Sequence, residues 1–448
     1  MNQESRHTSS ERAQRVGHAT GASRRSGERE RVQGSPRGEA PRIGIERIGV
    51  YPCSLSLDIA ALCEARGLDA ANFCGRLFCD ERSVMGPFED VITLGVNAAQ
   101  PMLTAADRDA IRLLIVATES SPDQEKPVSS WVHRFLGLRS DCRNFEVKHA
   151  CYGATGALQV AVGWLRSAVD PGAKALIVNA DHALIGLGGP QEPVLGAAGV
   201  ALLVSSDPRI FEFDSGWNGV YAHEVADIFR PAPGVETGDA DESLQSYLDA
   251  VEHTYDAYVA RVGHAIDFDR FFAAHVYHVP FGGLAQRAHL RLARREMGLS
   301  KADAGRHWEK KAGASLTYNR RTGGVYGAAT FVALAGLVDA SPALAAGDRI
   351  GVYSYGSGSC AEFYSGTLGV DARAAVAEAR IEQQLSDRRA LTVGEYEACE
   401  RAVLAATSAR DHTPQPDLIP SLYDSHYAGR HKLVFRGTRD YYREYAWS

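Results

Sequence analysis

One cysteine in the stretch VKHACYGATGAL, from Val147 to Leu158, stands where a nucleophile would be expected. Cys151 follows a charged segment and comes at the first turn of a predicted helix that begins with small residues. A helix N-terminus carries unpaired N–H groups and partial positive charge, which stabilise a thiolate and lower the pKa of the thiol. Gly153 leaves room for a substrate beside the sulfur. The alternative is that Cys151 is a small buried hydrophobic residue.

Two further residues are placed to assist such a nucleophile. Glu119 ends the apolar segment LLIVATES, and α/β sheets bind ligands at the carboxyl ends of their strands. His278 in HVYHVPFGG ends a second apolar strand, before a Pro-Phe-Gly-Gly turn. A cysteine nucleophile needs a base or proton donor in reach, and both residue types supply one. Glu119 could instead cap a turn, and His278 could be a structural histidine.

Other polar residues allow competing interpretations. His275 and His278 could form a metal-binding pair, but a third ligand at a suitable spacing is missing, so we expect no metal. Asn319 in LTYNRRTGG and Ser357 in YSYGSGSC occur in glycine-rich turns, where backbone N–H groups can approach an oxyanion. Both could also be ordinary turn residues. The sequence has no Gly-Lys-Ser/Thr loop after these glycines and no Gly-x-Gly-x-x-Gly after a strand, so nucleotide binding has no support.

Alternating strands and helices must position these residues. Strands are predicted in RIGIERIGVYPC, AIRLLIVATES, NFEVKHA, AKALIVNAD, AAGVALLVSS, FFAAHVYHVPF and, as a pair, DRIGVYSYGSGSCAEFYSGTL. Helices are predicted in LDIAALCEARG, SSWVHRFLGL, ATGALQVAVGWLRSAV, GLAQRAHLRLARREMG and GVYGAATFVALAGLVD. Near-continuous apolar strands between helices are typical of a mixed α/β sheet covered on both faces. Each half contains an apolar helix after a polar turn, which suggests a duplicated architecture without a strict repeat in the letters.

Composition excludes several classes of protein. The 448 residues are enough for one large or two fused medium domains, and the net charge of −7 gives no support to nucleic-acid binding. No run is long enough to cross a membrane, and no signal-peptide pattern is present, so we expect a cytoplasmic location. The eight cysteines contain no Cys-x-x-Cys pair, which argues against a zinc ribbon or a disulfide framework.

The first 42 residues differ from the rest of the chain. Residues 1–42 are rich in Arg, Ser, Gly and Glu and contain almost no large apolar side chains. Such a segment cannot bury enough surface to offset its ordering entropy, so we predict a disordered tail. A basic recruitment arm is the functional alternative.

Five segments carry the candidate residues and follow one another along the chain in this order: VATES, FEVKHACYGAT, HVPFG, YNRRTGGVYG and YSYGSGSCAEFYS. Together they resemble the 3-hydroxy-3-methylglutaryl-CoA synthase family, from about Ile43 to the end and including the FRP of Phe229 to Pro231. The resemblance implies the thiolase fold, an α/β architecture of two similar halves in five αβαβα layers, and a homodimer. It suggests an N-terminal half over residues 43–215 and a C-terminal half over residues 216–448.

The same resemblance implies a division of roles. Cys151 is expected as the acylated nucleophile, Glu119 as the general acid/base, and His278 as the residue that binds the acceptor carbonyl. Asn319 is expected at the acceptor thioester carbonyl, and the backbone N–H groups of Cys151 and Ser357 around the oxyanion. Tyr326, Gly153 and Val194 complete the expected substrate-binding residues.

Departures from the family pattern point to one of its branches. Gly283 and Gln286 replace lysines that are similar to CoA-phosphate anchors, and Val194 replaces a threonine near the donor acyl group. A chain that lacks the CoA-phosphate anchors but keeps the cysteine, glutamate and histidine resembles the branch of the family that performs β-branching in polyketide assembly. The implied partners are a donor acetyl-acyl carrier protein and an acceptor β-ketoacyl-acyl carrier protein. Their phosphopantetheine arms are the only prosthetic group expected.

An acidic carrier protein would need a basic surface. The helix GLAQRAHLRLARREMG places four arginines largely on one face by their spacing, Arg287, Arg291, Arg294 and Arg295. A plain solvated helix face is the alternative.

Four other functions remain possible at this stage. A CoA-dependent synthase of the mevalonate pathway would need the missing lysines, and a decarboxylating ketoacyl synthase would lack the strand-end glutamate. A scaffold that binds carriers without turnover would not need the intact catalytic set. A cysteine hydrolase would need neither a β-keto acceptor nor the Asn319 turn.

Overall fold

Every helix and strand predicted from the sequence is present in the computed structural model, which describes residues 42–167, 170–183, 186–232 and 235–448. The strands within these ranges are β1 Gly44–Tyr51, β2 Leu55–Asp58, β3 Glu81–Val84, β4 Ile111–Ala117, β5 Arg143–Val147, β6 Lys174–His182, β7 Ala197–Ser205, β8 Phe211–Ala222, β9 Ile228–Ala232, β10 Val235–Gly238, β11 Ala274–Tyr277, β12 Arg349–Gly356, β13 Cys360–Leu368, β14 Arg389–Ala390, β15 Leu433–Arg439 and β16 Tyr442–Trp447.

The helices connect these strands and cover both faces of the main sheet. They are α1 Ile59–Arg66, α2 Val91–Ala99, α3 Ala105–Ala110, α4 Val128–Phe135, α5 Gly153–Arg166, α6 Ala240–Val262, α7 Phe268–Phe271, α8 Gly282–Met297, α9 Lys301–Lys311, α10 Asn319–Thr322, α11 Ala328–Ala340, α12 Ala372–Ala377, α13 Ile381–Ser386, α14 Val393–Thr407 and α15 Leu422–His426.

The main sheet consists of two strand groups with the same pattern of directions. Its order is β11-β12-β13-β8-β1-β7-β6-β4-β5, and β8 joins β1 only through Gly44 and Ile45. In the first group β1, β7 and β6 pair antiparallel, and β6, β4 and β5 pair parallel. In the second group β8, β13 and β12 pair antiparallel, and β12 and β11 pair parallel. The predicted duplication is therefore confirmed at the level of topology.

The layers follow from the alternation of side chains along each strand. Leu114 and Val116 of β4 join the core cluster that includes α2 and α4. Leu113 and Ile115 of β4 join the cluster that includes α5 and α11, the second strand group, α6 and α8. The resulting order is outer helices, first strand group, α5 with α11, second strand group and outer helices, which is the five-layer thiolase fold.

The central helix α11 is apolar all round because both strand groups cover it. In α11 the first eleven residues are all buried, as expected for a helix without a solvent face. Across the residues that the structure describes, no helix combines the length and apolar character needed to cross a bilayer.

Two predicted boundaries are affected by β8. The division between residues 215 and 216 falls inside this strand, and the second strand group already begins at Phe211. Residues 1–41 of the predicted tail lie outside the described residues. Arg42 is described, and its guanidinium lies 2.6 Å from the carboxylate of Glu212 on β8.

Candidate active site

A sharp turn carries Cys151 between β5 and α5. Ala150 has a left-handed backbone with φ of 39°, and a short 3₁₀ turn over Ala150–Tyr152 then leads into α5. A non-glycine residue in this region is strained, and such strain is common at functional sites. The predicted position of Cys151 at the start of a helix is confirmed.

The electrostatics of Cys151 differ from the prediction. The thiol is half-buried, and burial together with the charges of Glu119 and Asp181 raises its pKa well above the usual value. The expected lowering by the helix N-terminus was wrong, because the sequence did not show that the sulfur would be buried and subject to the charges of Glu119 and Asp181. The resting cysteine is therefore a neutral thiol at neutral pH.

Glu119 follows β4 and is fixed through its backbone. Its N–H donates to Oδ1 of Asp181 at 2.7 Å, and the same oxygen accepts from Thr118 at 3.1 Å and Ser120 at 3.0 Å. Asn179 donates to the second oxygen of Asp181 at 2.9 Å. Burial, and then the charge of Asp181, raises the pKa of Glu119 to about 7. A carboxyl group with this pKa can give or take a proton near neutral pH.

His278 comes directly after β11 and is fully buried. Its Nδ1 lies 3.3 Å from the hydroxyl oxygen of Thr330 on α11, whereas its Nε2 has no hydrogen-bond partner within the described ranges. Burial lowers the pKa of His278 to about 3, so the ring is neutral at pH 7. His275 lies apart and stacks on Phe268 with 4.5 Å between ring centroids. The two histidines therefore do not form one binding pair.

The first turn of α11 brings the predicted residues together. A Cβ atom at Gly327 would lie 2.9 Å from the carbonyl oxygen of Cys151. The side-chain amide of Asn319 donates to the carbonyl of Ala329 at 3.0 Å, and Thr330 is the neighbour of His278. The Oδ1 atom of Asn319 is buried and has no hydrogen-bond partner among the residues that the structure describes. Cys151, His278 and Asn319 thus lie around one helix turn.

The turn that carries Ser357 lies against the cysteine turn. Ser357 is half-buried and follows Gly356, the last residue of β12. A Cβ atom at Gly356 would lie 2.5 Å from the backbone nitrogen of Tyr152 and 2.7 Å from the carbonyl oxygen of His149. The glycine-rich turn therefore packs against the turn that carries Cys151, and its predicted contact with an oxyanion stays a prediction.

Gly356 provides a direct test of this approach. The Gly356→Ala variant is expected to lose about 10²-fold in turnover, because a methyl group must displace the backbone next to Cys151 by several tenths of an ångström or more. Turnover and thermal unfolding should both be measured. Gly394→Ala is the control, because its Cβ would meet nothing within 4 Å. Equal turnover in the two variants would contradict the close approach.

A β-hairpin of β9 and β10 covers the site, and the sequence did not reveal its contacts. Arg230 of the FRP segment pairs with Glu236 at 3.1 Å and also contacts the hydroxyl of Tyr326. Its guanidinium lies 3.5 Å from the carbonyl oxygen of Glu119. The positive charge of Arg230 opposes the rise in the pKa of Glu119. Tyr326 is thus brought to the site through this hairpin.

Gly153 and Val194, the other two residues predicted to bind substrate, pack against the protein itself. A Cβ atom at Gly153 would lie 3.5 Å from the Cβ of Ala117, so Gly153 lies against β4 rather than beside open space. Val194 is buried in a separate core cluster, and its carbonyl accepts from the N–H of Gly324 at 2.7 Å. Val194 therefore supports the glycine-rich segment that leads to Tyr326.

The predicted basic face of α8 is half neutralised. Arg291 pairs with Asp249 and Glu252 of α6 at 2.9 and 2.7 Å. Arg295 pairs with Asp256 at 2.6 Å and with Glu296 at 2.7 Å. Arg287 and Arg294 are exposed and form no ion pair within the part of the chain that the structure describes. The sequence showed the spacing of the arginines but not the acidic neighbour helix.

No cluster of three or more His, Cys, Asp or Glu side chains suited to a metal ion occurs among residues 42–448 outside the undescribed gaps. The hydrogen bonds around the buried carboxylate of Asp181, and the contact of Thr330 with His278, complete the site. Sequence reasoning missed Asp181, Asn179, Arg230 and Thr330, and only Asp181, near the end of β6 in VNAD, carried a signal comparable to that of Glu119.

Family models and several known proteins match this chain. Models of the N-terminal and C-terminal regions of hydroxymethylglutaryl-coenzyme A synthase match residues 40–209 and 296–441. The polyketide biosynthesis 3-hydroxy-3-methylglutaryl-ACP synthase PksG of Bacillus subtilis is 37% identical over 418 residues, covering 90% of this chain and 99% of PksG. The hydroxymethylglutaryl-CoA synthase of Enterococcus faecalis is 33% identical over 80% of this chain and 91% of its own.

A solved structure gives the same result. The HMG synthase of the curacin biosynthetic pathway, crystallised with acetyl donor-ACP, is 37% identical and superposes with a TM-score of 0.87. The match covers 91% of this chain and all of that one. With both family models matched and a relative 37% identical over 90% of its length, the chain belongs to the hydroxymethylglutaryl-coenzyme A synthase family.

Proposed function

We propose that this protein is an acyl-carrier-protein-dependent 3-hydroxy-3-methylglutaryl synthase of polyketide β-branching. It adds an acetyl-derived carbanion from a donor carrier protein to the β-keto group of a carrier-bound polyketide. The observation that carries the proposal is the assembly of Cys151, Glu119 and His278 around the first turn of α11, in a chain similar to PksG and to the curacin enzyme.

The first step is transfer of the acetyl group to Cys151. The thiol sulfur attacks the donor thioester, the bond to the carrier sulfur breaks, and the thiol proton ends on the departing carrier thiol. Backbone N–H groups at the Cys151 and Ser357 turns are proposed to stabilise the oxyanion. Because the pKa of Cys151 is raised, the resting cysteine is a neutral thiol and its proton must leave the sulfur during the attack.

The second step forms the carbon–carbon bond. Glu119 removes a proton from the methyl group of the acetyl thioester, and the resulting carbanion attacks the β-ketone of the acceptor. His278 binds the ketone oxygen, and Glu119 returns its proton to the new tertiary alkoxide. Water then hydrolyses the thioester to Cys151, which releases a carboxymethyl branch and restores the thiol.

The pKa of Glu119 predicts a pH dependence for this second step. The group acts as a base in its ionised form, so condensation should slow as the pH falls through about 7, by about tenfold for each pH unit below about 6. Single-turnover condensation of enzyme already acetylated on Cys151 measures this, because the thiol no longer titrates. A rate that is constant from pH 5 to 8 would contradict the role of Glu119.

The geometry around α8 supports a carrier rather than CoA as the acyl donor. Gly283 is buried, and a Cβ atom there would lie 2.6 Å from the carbonyl oxygen of Arg76. This backbone therefore excludes a lysine at one position where the resemblance expects a CoA-phosphate anchor. Gln286 occupies the other position without a charge. Arg287 and Arg294, which are exposed and free of the α6 carboxylates, are the proposed contacts for an acidic carrier protein.

The remaining elements of the proposal concern partners and location. No cofactor is proposed beyond the phosphopantetheine arm of each carrier, and a homodimer is proposed from family membership. A cytoplasmic location is proposed because all eight cysteines are free thiols, as expected in a reducing compartment.

Turnover with both carriers tests the proposed function. The enzyme is mixed with an acetyl-loaded donor carrier and a β-ketoacyl-loaded acceptor carrier, and the acceptor arm is weighed by mass spectrometry. We expect the acceptor to gain the mass of a carboxymethyl branch with a tertiary alcohol. Product formed only when CoA thioesters replace both carriers would assign the protein to the CoA-dependent class, and no product from either would favour a scaffold.

A further inference from the structure

One polar side chain stands out in the apolar helix at the centre of the fold. From Ala328 to Val338, α11 reads AATFVALAGLV, and Thr330 is the only residue of this run with a side-chain hydrogen-bonding group. Thr330 is fully buried. A buried hydroxyl is costly unless it is hydrogen-bonded, so a threonine here needs a partner.

The partner is the catalytic histidine. The hydroxyl oxygen of Thr330 lies 3.3 Å from Nδ1 of His278. A second partner for this hydroxyl, such as the carbonyl four residues earlier that Thr254 uses in α6, is not found in the described ranges. The pairing of Thr330 with His278 is therefore exclusive.

This exclusivity determines the direction of the hydrogen bond. A hydroxyl with one partner satisfies its own proton only by donating to that partner, so Thr330 donates and Nδ1 of His278 accepts. A neutral imidazole carries one proton, which must then reside on Nε2. Nε2 is the buried nitrogen that has no hydrogen-bond partner elsewhere in residues that the structure describes.

The rest of His278 is also held in place. Its backbone N–H donates to the carbonyl of Tyr353 at 2.7 Å, and its carbonyl accepts from the hydroxyl of Tyr247 at 2.7 Å. The ring centroid of Tyr247 lies 6.4 Å from that of the imidazole. These contacts fix the backbone of His278 but do not determine which ring nitrogen carries the proton. Thr330 is the residue that contacts the ring at Nδ1.

We infer that Thr330 is a positioning residue that donates to Nδ1 of His278 and thereby holds the ring as the Nε2–H tautomer, which donates to the ketone oxygen of the acceptor. The inference rests on the proposed function, because the ketone is the acceptor of that reaction. It also predicts that Thr330 acts in condensation and not in the loading of Cys151, which needs no proton donor at Nε2.

The test compares loading and condensation in matched variants. Thr330→Val removes the hydroxyl and keeps the shape, Thr330→Ser restores the hydroxyl, and Thr254→Val removes an equally buried helical hydroxyl that donates to carbonyls of its own helix. For Thr330→Val we expect Cys151 acetylation within about twofold of the wild type and condensation slower by at least about tenfold. Thr330→Ser should recover most of the loss, and Thr254→Val should leave condensation unchanged.

Two results would overturn the inference. One is a Thr330→Val variant in which loading and condensation stay equal to the wild type or fall together with the melting temperature. The other is a Thr330→Ser variant as slow as the valine variant. A wild-type enzyme that loads and condenses keeps the proposed function intact in either case, so the two failures are distinguishable.

A spectroscopic measurement covers the case in which Thr330→Val does not fold. In wild-type protein labelled with ¹⁵N-histidine, the ring resonances of His278 are assigned by their loss in His278→Asn. We expect Nδ1 to have the shift of an unprotonated nitrogen and Nε2 that of an N–H. The opposite assignment would show that Thr330 accepts rather than donates, which contradicts the inference.

Discussion

The Cys151→Ala variant is expected to form no acetyl adduct and to lose at least about 10⁴-fold in turnover, as expected when a covalent nucleophile is removed. The backbone of Cys151 packs against Gly327 at the start of α11, the helix turn that also holds His278 and Asn319. Intact-protein mass spectrometry after mixing with acetyl-carrier detects the adduct, and product formation measures turnover.

Cys399→Ala is the matched control for that variant. Cys399 is a fully buried free thiol on α14, so its loss costs packing but removes nothing from the site. We expect full acetylation of the Cys399 variant. An acetyl adduct on the Cys151→Ala protein, or none on the Cys399→Ala protein, would contradict the assignment of the nucleophile.

The Glu119→Gln variant is expected to separate the two chemical steps. The amide keeps the shape and cannot take a proton, so acetylation of Cys151 should continue and condensation should fall by about 10³-fold. Removing the charge also removes one cause of the raised pKa of Cys151, which favours loading rather than hindering it. Loading and single-turnover condensation are measured separately, the second on enzyme already acetylated.

Glu146→Gln is the control for Glu119. Glu146 lies on β5, where it pairs with Val116 of the neighbouring strand β4. Its side chain is half-buried, and burial raises its pKa as it does that of Glu119. Its carboxylate accepts from the backbone N–H of Val128 at 2.6 Å, which is a structural contact. We expect Glu146→Gln to retain condensation. Loss of loading in Glu119→Gln, or an equal loss of condensation in Glu146→Gln, would contradict the division of roles.

Local patterns in the sequence were enough to locate Glu119, Cys151 and His278 at the ends of their strands and helix. Glu119 and His278 follow strands that are recognisable from continuous apolar letters, and Cys151 opens a helix marked by small residues. The architecture follows from the same alternation of strands and helices. These features depend on residues close to one another in the chain, which is where pattern reasoning is informative.

Contacts between distant segments could not be predicted. The pKa of Cys151 depends on Asp181, and the availability of Arg291 depends on α6, neither of which is adjacent in sequence. Thr330 showed no pattern of its own, because a single threonine in an apolar helix is readable only once its neighbour is known. The division at residues 215 and 216 was placed inside β8 for a similar reason, since the polar middle of this strand does not read as a strand.

The acetylation of Cys151 tests the central claim most directly. The enzyme is mixed with acetyl-carrier protein and, separately, with acetyl-CoA, and its intact mass is followed over time. Carrier-dependent β-branching predicts an acetyl adduct on Cys151 that forms rapidly from the carrier and slowly from CoA. Rapid loading from CoA with none from the carrier would contradict it and assign the chain to the CoA-dependent members of its family.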